Sequence, residues 1–277
     1  MRNESEGGGD EGGDGVVDNE MSELVKATAK LYRDALVKAG QMLRLNWWGT
    51  LLPLLYYGVI FLGSTLFLPL GVVGRFLLGL LVAFLIAHYL ALVSASVAGE
   101  RTSLSQLWLR ARDLFSPTIG VLFTLYILSL VAEMAFRNES QRWLLVALNF
   151  VIVFLFNPLP EVIYQSRQNA LAVFTESFQF VKENTIEWFL PIIIMILPLI
   201  LANPKQFFLQ FATSGPLEFP QLIFGQGIAL AGNSLSAVLI IPALLAASFY
   251  LMIFRGLLYA RLSTSSRRKR VFESKFN

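Results

Sequence analysis

The sequence contains no cysteine and only one histidine, His88, in 277 residues. Without cysteine there is no disulfide, thiol nucleophile, iron–sulfur cluster or zinc–thiolate site. A single histidine disfavours a His-rich metal site and most His-based acid–base mechanisms. A Walker loop, a nucleophile elbow and a metalloprotease helix are also missing from the sequence. We therefore expect a protein that is not an enzyme and that carries no cofactor.

Charged residues are scarce as well. They make up 15% of the chain, against 55% hydrophobic residues, whereas a soluble domain carries about 25% charged residues. Apolar runs of nearly 20 residues recur, which is typical of membrane-spanning helices. We predict an all-α, polytopic membrane bundle with spans at 47–69, 76–98, 117–136, 143–164, 188–202 and 236–260. The fifth of these is short and holds two prolines.

The positions of Lys and Arg indicate the orientation of the spans. Seventeen of them fall in the two terminal segments and in the second and fourth loops, and four fall on the other side. Under the positive-inside rule this distribution places both termini in the cytoplasm. We predict a bacterial-type inner membrane, with an organelle membrane as the alternative because the sequence does not identify its source.

The two ends of the chain differ in charge. Residues 1–21 are acidic and rich in glycine, which predicts a disordered tail or, alternatively, an acidic docking segment. Residues 263–277 form a basic tail whose cations either attract anionic lipids or anchor the topology. No folded basic domain accompanies them, so we expect no nucleic acid partner. The cations closest to each other are Arg267, Arg268, Lys269 and Arg270.

The cytoplasmic connections carry helical apolar periodicity, which predicts interfacial helices at about 22–45, 102–115 and 167–187. Ser103 with Gln106 reads as a capping box, and Ser116-Pro117 reads as the start of the third span. The membrane domain, 22–262, is then three units, each an interfacial helix followed by a transmembrane hairpin. Its second span has a small residue at every fourth position, which favours close helix packing within the chain or, alternatively, a subunit interface. These small residues are Gly79, Ala83, Ala87, Ala91, Ala95 and Gly99.

Several polar residues fall within the predicted spans. His88 should lie at the depth of Tyr56 and Tyr57, where a hydrogen bond to a tyrosine and a proton relay are both open. Glu133 and Asn149 lie near the outer ends of adjacent spans, and we interpret them as a hydrogen bond across a hairpin.

The fourth span ends in Asn157-Pro-Leu-Pro-Glu161, and its two prolines predict a break or kink. We expect Asn157 to satisfy one of the freed carbonyls. Glu161 and Arg255 should lie at equal depth, which predicts an ion pair that either fixes the bundle or gates it.

The outer connection, 203–235, is unusually apolar for an aqueous loop. We expect it to lie in the outer interface or to re-enter the membrane, and we regard it as the best candidate for contact with a lipid or a partner subunit. Its phenylalanines are Phe207, Phe208, Phe211, Phe219 and Phe224.

The alternation of interfacial helix and hairpin, with the segment 176–184 leading into Trp188, resembles the YciC-like inner-membrane proteins and the membrane domain of some glycerophosphodiesterases. That resemblance covers about 22–262 and implies a non-enzymatic inner-membrane protein tied to envelope or lipid processes. The layout also resembles the permease subunits of type-2 ABC exporters, with 102–115 in the place of the coupling helix. The long connection 167–187 departs from that second pattern.

Our leading hypothesis is a non-catalytic integral membrane subunit or scaffold of an inner-membrane complex, in contact with the lipid bilayer and with other membrane or envelope proteins. The alternative is a transporter permease powered by a separate cytoplasmic ATPase.

Overall fold

The computed structural model describes residues 14–136, 138, 142–166, 168–213, 215–218 and 237–264. These residues are almost entirely helical and form no strand, which confirms the predicted all-α class. Short 3₁₀ turns at Trp47–Leu51, Leu68–Leu70 and Pro216–Glu218 adjoin the α-helices. The α-helices are α1 Asp14–Leu45, α2 Leu52–Phe67, α3 Val72–Val97, α4 Leu104–Ala135, α5 Arg142–Leu155, α6 Leu159–Ser166, α7 Ala170–Ala202, α8 Pro204–Thr213 and α9 Ala237–Thr264.

Within the described residues, five helical stretches are long and apolar enough to cross a membrane. They cover the first, second, third, fourth and sixth predicted spans, and the third stretch also takes in most of the predicted interfacial helix 102–115. The predicted fifth span, 188–202, lies in the second half of α7 and is not one of the five. The five stretches are Trp47–Leu70, Val72–Val97, Leu104–Ala135, Trp143–Ser166 and Ile240–Thr264.

Helix α1 is hydrogen-bonded to two other helices of the bundle. The Tyr32 hydroxyl donates to the Glu187 carbonyl of α7 at 2.9 Å. Further along, the Leu36 carbonyl accepts from the Tyr250 hydroxyl of α9 at 3.0 Å. The helix begins at Asp14, eight residues before the predicted start at 22. These two bonds lie one turn apart on α1 and join it to α7 and to α9.

Two buried asparagines mark matching bends in the chain. Asn46, between α1 and the first span, has φ −119° and ψ 38°. Asn184, inside α7, has φ −126° and ψ 24° and divides that helix into two segments. This sparsely populated conformation interrupts a helix without a glycine. The shared bend lies where the sequence around 42–48 loosely resembles that around 180–188.

The second unit has no such bend. The backbone N–H of Ser103 donates to Gln106 Oε1 at 3.2 Å, as the predicted helix start requires. However, α4 then continues without a break through Pro117, so the predicted new start at Ser116-Pro117 is wrong. Packing explains the difference. Leu107 and Ala111 are fully buried and hold the first turns of α4 against the bundle, which offsets the one hydrogen bond that the proline removes.

The core lies around α3 and α9, which are the most buried of the five spans, whereas α2 is the least buried. The second half of α7 has two distinct faces. Trp188, Ile192 and Ile196 are buried against the bundle. Ile186, Leu190, Ile193, Ile194, Leu197 and Leu201 are exposed.

Candidate functional site: a buried polar core

A charged pair lies in the middle of the helical packing. Arg255 Nε donates to Glu161 Oε1 at 2.9 Å, and Arg255 Nη2 donates to Glu161 Oε2 at 2.8 Å. Both side chains are completely buried. The predicted ion pair therefore forms, and it has the bidentate geometry in which a guanidinium binds a carboxylate most strongly.

The break between α5 and α6 positions this pair. The helix is interrupted at 156–158, as the two prolines predict, and the Asn157 carbonyl is free of the helical ladder. Arg255 Nη2 donates to that carbonyl at 2.7 Å. Glu161 follows in the first turn of α6, where the positive end of the helix dipole favours a carboxylate. The same break thus supplies both an acceptor for the arginine and a favourable place for its counter-ion.

Trp188 of α7 contacts both Asn157 and Arg255. Its indole Nε1 donates to Asn157 Oδ1 at 3.1 Å. Its ring lies 5.2 Å from Arg255 Cζ, within the range of a cation–π interaction. The Asn157 side chain therefore does not satisfy a freed carbonyl, as we expected, but accepts from the tryptophan, and Arg255 satisfies the freed carbonyl. We call Asn157, Glu161, Trp188 and Arg255 the polar core.

The helices around the polar core approach closely. Gln165 Nε2 donates to the carbonyl of Gly256 at 2.9 Å. A Cβ at position 256 would overlap the Tyr164 hydroxyl and a methyl group of Val97. On the next turn of α9, the Tyr259 hydroxyl donates to Glu176 Oε1 at 2.7 Å. Position 256 therefore requires glycine, a requirement that a single glycine in an apolar run does not reveal from sequence.

The polar core holds helices together. Both carboxylate oxygens of Glu161 accept from Arg255, and the core joins α6, α7 and α9. A buried ion pair gains little over a well-packed apolar pair, but removing one partner leaves an uncompensated buried charge. The arrangement therefore makes the correct docking of α9 on α6 a condition of stability.

His88 forms a smaller polar pair. Its Nδ1 lies 2.5 Å from the Tyr56 hydroxyl, and the two rings meet edge to face with centroids 5.9 Å apart. The predicted contact between the first and second spans is therefore present. Tyr57 points away from it and is 67% exposed.

The stripe of small residues on α3 is covered by the chain itself. Ala83, Ala87, Ala91 and Ala95 are buried, whereas Gly79 and Gly99 at its two ends are exposed. Of the two interpretations open at the sequence level, close packing within the chain accounts for the four alanines. Gly99 also has a φ of 80°, which ends the helix at a place where a side chain would be strained.

Glu133 and Asn149 do not join the polar core. Glu133 of α4 and Asn149 of α5 line a separate cleft of about 420 Å³ between these two helices, and residues 215–217 also line it. The hydrogen bond between them stays a prediction. We call this space the cleft. Its walls are formed by Leu122, Leu125, Tyr126, Ser129, Ala132, Glu133, Leu145, Val146, Leu148, Asn149, Ile152, Gly215, Pro216 and Leu217.

The remaining predicted contact residues are only partly within the described chain. Phe207 of α8 is buried and Phe208 is exposed. The side chain of Phe211, together with Phe219, Phe224 and the basic cluster Arg267, Arg268, Lys269 and Arg270, lies outside the described residues.

Sequence reasoning missed the polar contacts at Asn46. Its side chain is fully buried, and its Nδ2 donates to Ser96 Oγ at 3.1 Å and to the Glu100 carbonyl at 2.9 Å. Its Oδ1 accepts from the backbone N–H of Thr102 at 3.2 Å. These bonds fasten the start of the first span to the end of the second. An uncharged polar residue directly before Trp47-Trp48 is the signal that would have found it.

Among the described residues, no group of three or more His, Cys, Asp or Glu side chains is placed to hold a metal ion. Comparison with known proteins gives no further guide to the polar core. No protein-family model, no curated protein and no solved structure matches this chain.

Proposed function

We propose that the protein is a non-catalytic integral membrane subunit or scaffold of a bacterial-type inner-membrane complex. The polar core is the observation that carries this proposal. Its charged groups are committed to each other and to neighbouring helices, which is typical of a structural lock rather than of a substrate site. The exposed surface of the described spans is largely apolar, as contact with lipid or with other membrane proteins requires.

The proposal includes six spans with both termini in the cytoplasm. The second half of α7 supports the additional span, because it presents one apolar face outwards while Trp188 and Ile192 pack inwards. From Thr185 to Ala202 it is about 27 Å long at 1.5 Å per residue, close to the roughly 30 Å of hydrocarbon in a bilayer. The surplus of Lys and Arg on one side of a six-span layout supports the orientation.

The permease alternative receives less support. A coupling helix must present itself to an ATPase, whereas residues 104–115 continue directly into a span and bury Leu107 and Ala111 in the bundle. We therefore keep the scaffold as the proposed function.

The absence of cysteine makes the topology directly testable. Single variants Asn138→Cys, Gln168→Cys, Lys205→Cys and Ser263→Cys would be treated in intact cells with a membrane-impermeant maleimide. With six spans, positions 138 and 205 are labelled from outside, and positions 168 and 263 are labelled only after permeabilisation. With five spans, positions 205 and 263 exchange their behaviour, which would overturn the six-span proposal. The unsubstituted chain, which has no cysteine, is the negative control for labelling.

The scaffold role is tested by affinity purification from native membranes in mild detergent, followed by quantitative mass spectrometry. We expect integral membrane or envelope proteins in a fixed ratio to the chain. Recovery of a stoichiometric ATPase subunit would overturn the scaffold in favour of the permease. Recovery of the chain alone would overturn both.

A further inference from the structure

The cleft lies between two helices that are consecutive in the chain and yet diverge. Helix α5 packs mainly on α8, with smaller contacts to α7 and the turn at 216–218, rather than along α4. Hairpin partners in a bundle ordinarily lie side by side. The divergence of α4 and α5 therefore leaves an opening in the side of the bundle, where the surrounding solvent is lipid.

The cleft has the size and lining of a ligand site. Its volume of about 420 Å³ lies within the range of roughly 300–1,000 Å³ that is usual for such sites. Leu122, Leu125, Leu145, Leu148 and Ile152 provide a largely apolar lining for it.

The cleft also runs in the direction of a lipid tail. Glu133 is two residues from the end of α4, and Leu122 is 13 residues from it. At 1.5 Å per residue, the lining of α4 reaches about 20 Å from the helix end. That reach exceeds half of the roughly 30 Å hydrocarbon core, which is the depth of one leaflet. A water-filled space at that depth is unfavourable beside apolar side chains, whereas an acyl chain fills it without loss.

The polar groups of the cleft lie towards the end of α4. Glu133 supplies a carboxylate, and Ser129 and Tyr126 lie within two further turns on the same helix. A carboxylate at the membrane interface attracts a headgroup that carries a cationic hydrogen-bond donor and repels an anionic one.

We propose that the cleft binds one acyl chain of a phospholipid whose headgroup carries a primary ammonium group, with that ammonium at Glu133. The inference depends on the membrane placement of α4 and α5 in the proposed function, and it does not depend on any partner protein.

The test uses the full chain in vesicles of phosphatidylethanolamine and phosphatidylglycerol that contain a trace of photoactivatable phosphatidylethanolamine or photoactivatable phosphatidylglycerol. The photoactivatable group is placed in the acyl chain, and labelled peptides are quantified by mass spectrometry. We expect peptides covering 122–133 and 143–152 to be labelled preferentially by the ethanolamine lipid, by a factor of about three for an exposed charge. Peptides of α2, whose Phe61 is 65% exposed, should show no preference between the two lipids.

Two variants separate the headgroup from the tail. Glu133→Gln should abolish the preference for the ethanolamine lipid and retain labelling of the cleft. Leu148→Trp, which fills the cleft, should reduce labelling by both lipids. Val151→Trp is the matched control, because Val151 is exposed on the same helix and does not line the cleft.

Three outcomes would overturn the inference. Equal labelling by the two lipids removes the headgroup assignment. Cleft labelling that Leu148→Trp leaves unchanged removes the tail site. Labelling of α2 without labelling of the cleft by either lipid removes the lipid site. Labelling of α2 reports membrane insertion independently, so a failure of the proposed membrane placement is distinguishable from the lack of a lipid site.

Discussion

Two pairs of Glu and Asn residues occupy the region from α4 to α6, and they have opposite environments. Glu161 and Asn157 are buried and bound to Arg255 and Trp188 in the polar core. Glu133 is exposed and Asn149 is half-buried, and both line the cleft. The two pairs differ in the helices that pack against them. In the polar core α9 supplies a cation and α7 supplies an indole, whereas at the cleft the neighbouring spans diverge. The same residue types therefore join helices in the polar core and line an open cleft between α4 and α5.

The largest effect should come from separating the charged pair. Arg255→Met leaves the Glu161 carboxylate buried without its counter-ion. Glu161→Gln leaves the Arg255 guanidinium buried without a negative partner. Either change should lower the free energy of unfolding by about 3–5 kcal/mol. Thermal unfolding in detergent, followed by intrinsic fluorescence, measures the loss.

Glu133→Gln is the matched change in the cleft. It should alter the free energy of unfolding by less than about 0.5 kcal/mol, because an exposed carboxylate at a helix end keeps its access to solvent. Equal losses for Glu133→Gln and Glu161→Gln would remove the distinction between the two pairs.

A smaller effect is expected from Asn157→Ala, which leaves the indole N–H of Trp188 buried without its acceptor. The expected loss is about 1–3 kcal/mol. In a Trp188→Phe background the same change should cost less than about 1 kcal/mol, since the donor is already gone. Melting temperatures of the two single variants and the double variant give the coupling. Additive losses would show that the Trp188–Asn157 bond contributes nothing.

An effect of similar size is expected from a change of volume. Ala87→Leu adds three carbons where the side chain is fully buried against the bundle, and overpacking of this kind costs about 1–3 kcal/mol. Leu148→Trp adds volume to the cleft and should change stability by less than about 0.5 kcal/mol. The measurement is again thermal unfolding in detergent. A tolerated leucine at position 87, with loss of a co-purifying protein, would instead support a subunit interface at the small-residue stripe.

The helical class, the five long apolar helices, the proline break and the Glu161–Arg255 pair could all be predicted from sequence. Each depends on a local signal: hydropathy over about 20 residues, the chemistry of proline, or equal depth along two spans. Equal depth identifies a partner for Glu161 because a buried arginine has very few alternatives in an apolar bundle.

What sequence reasoning could not provide depends on packing between distant segments. Ser116-Pro117 has the composition of a helix start, but the burial of Leu107 and Ala111 keeps α4 continuous. Asn46 and Asn184 bend the chain in the same way although their side chains bind different groups: Asn46 binds Ser96 and Glu100, whereas Asn184 Nδ2 donates to the Phe180 carbonyl at 3.2 Å. The cleft has no sequence signal at all, because it is the space left by two helices that pack elsewhere.

The distance along the chain between the two charged partners sets an order of events during synthesis. Arg255 is 94 residues after Glu161, which a ribosome translating at about 5–20 residues per second covers in roughly 5–20 s. Throughout that interval Glu161 has been made and its cation has not. Newly inserted chains must therefore keep the carboxylate neutral or near water until α9 arrives. A nascent chain that stops before residue 255 never acquires the counter-ion, so its Glu161 carboxylate lacks the partner that it has in the complete bundle.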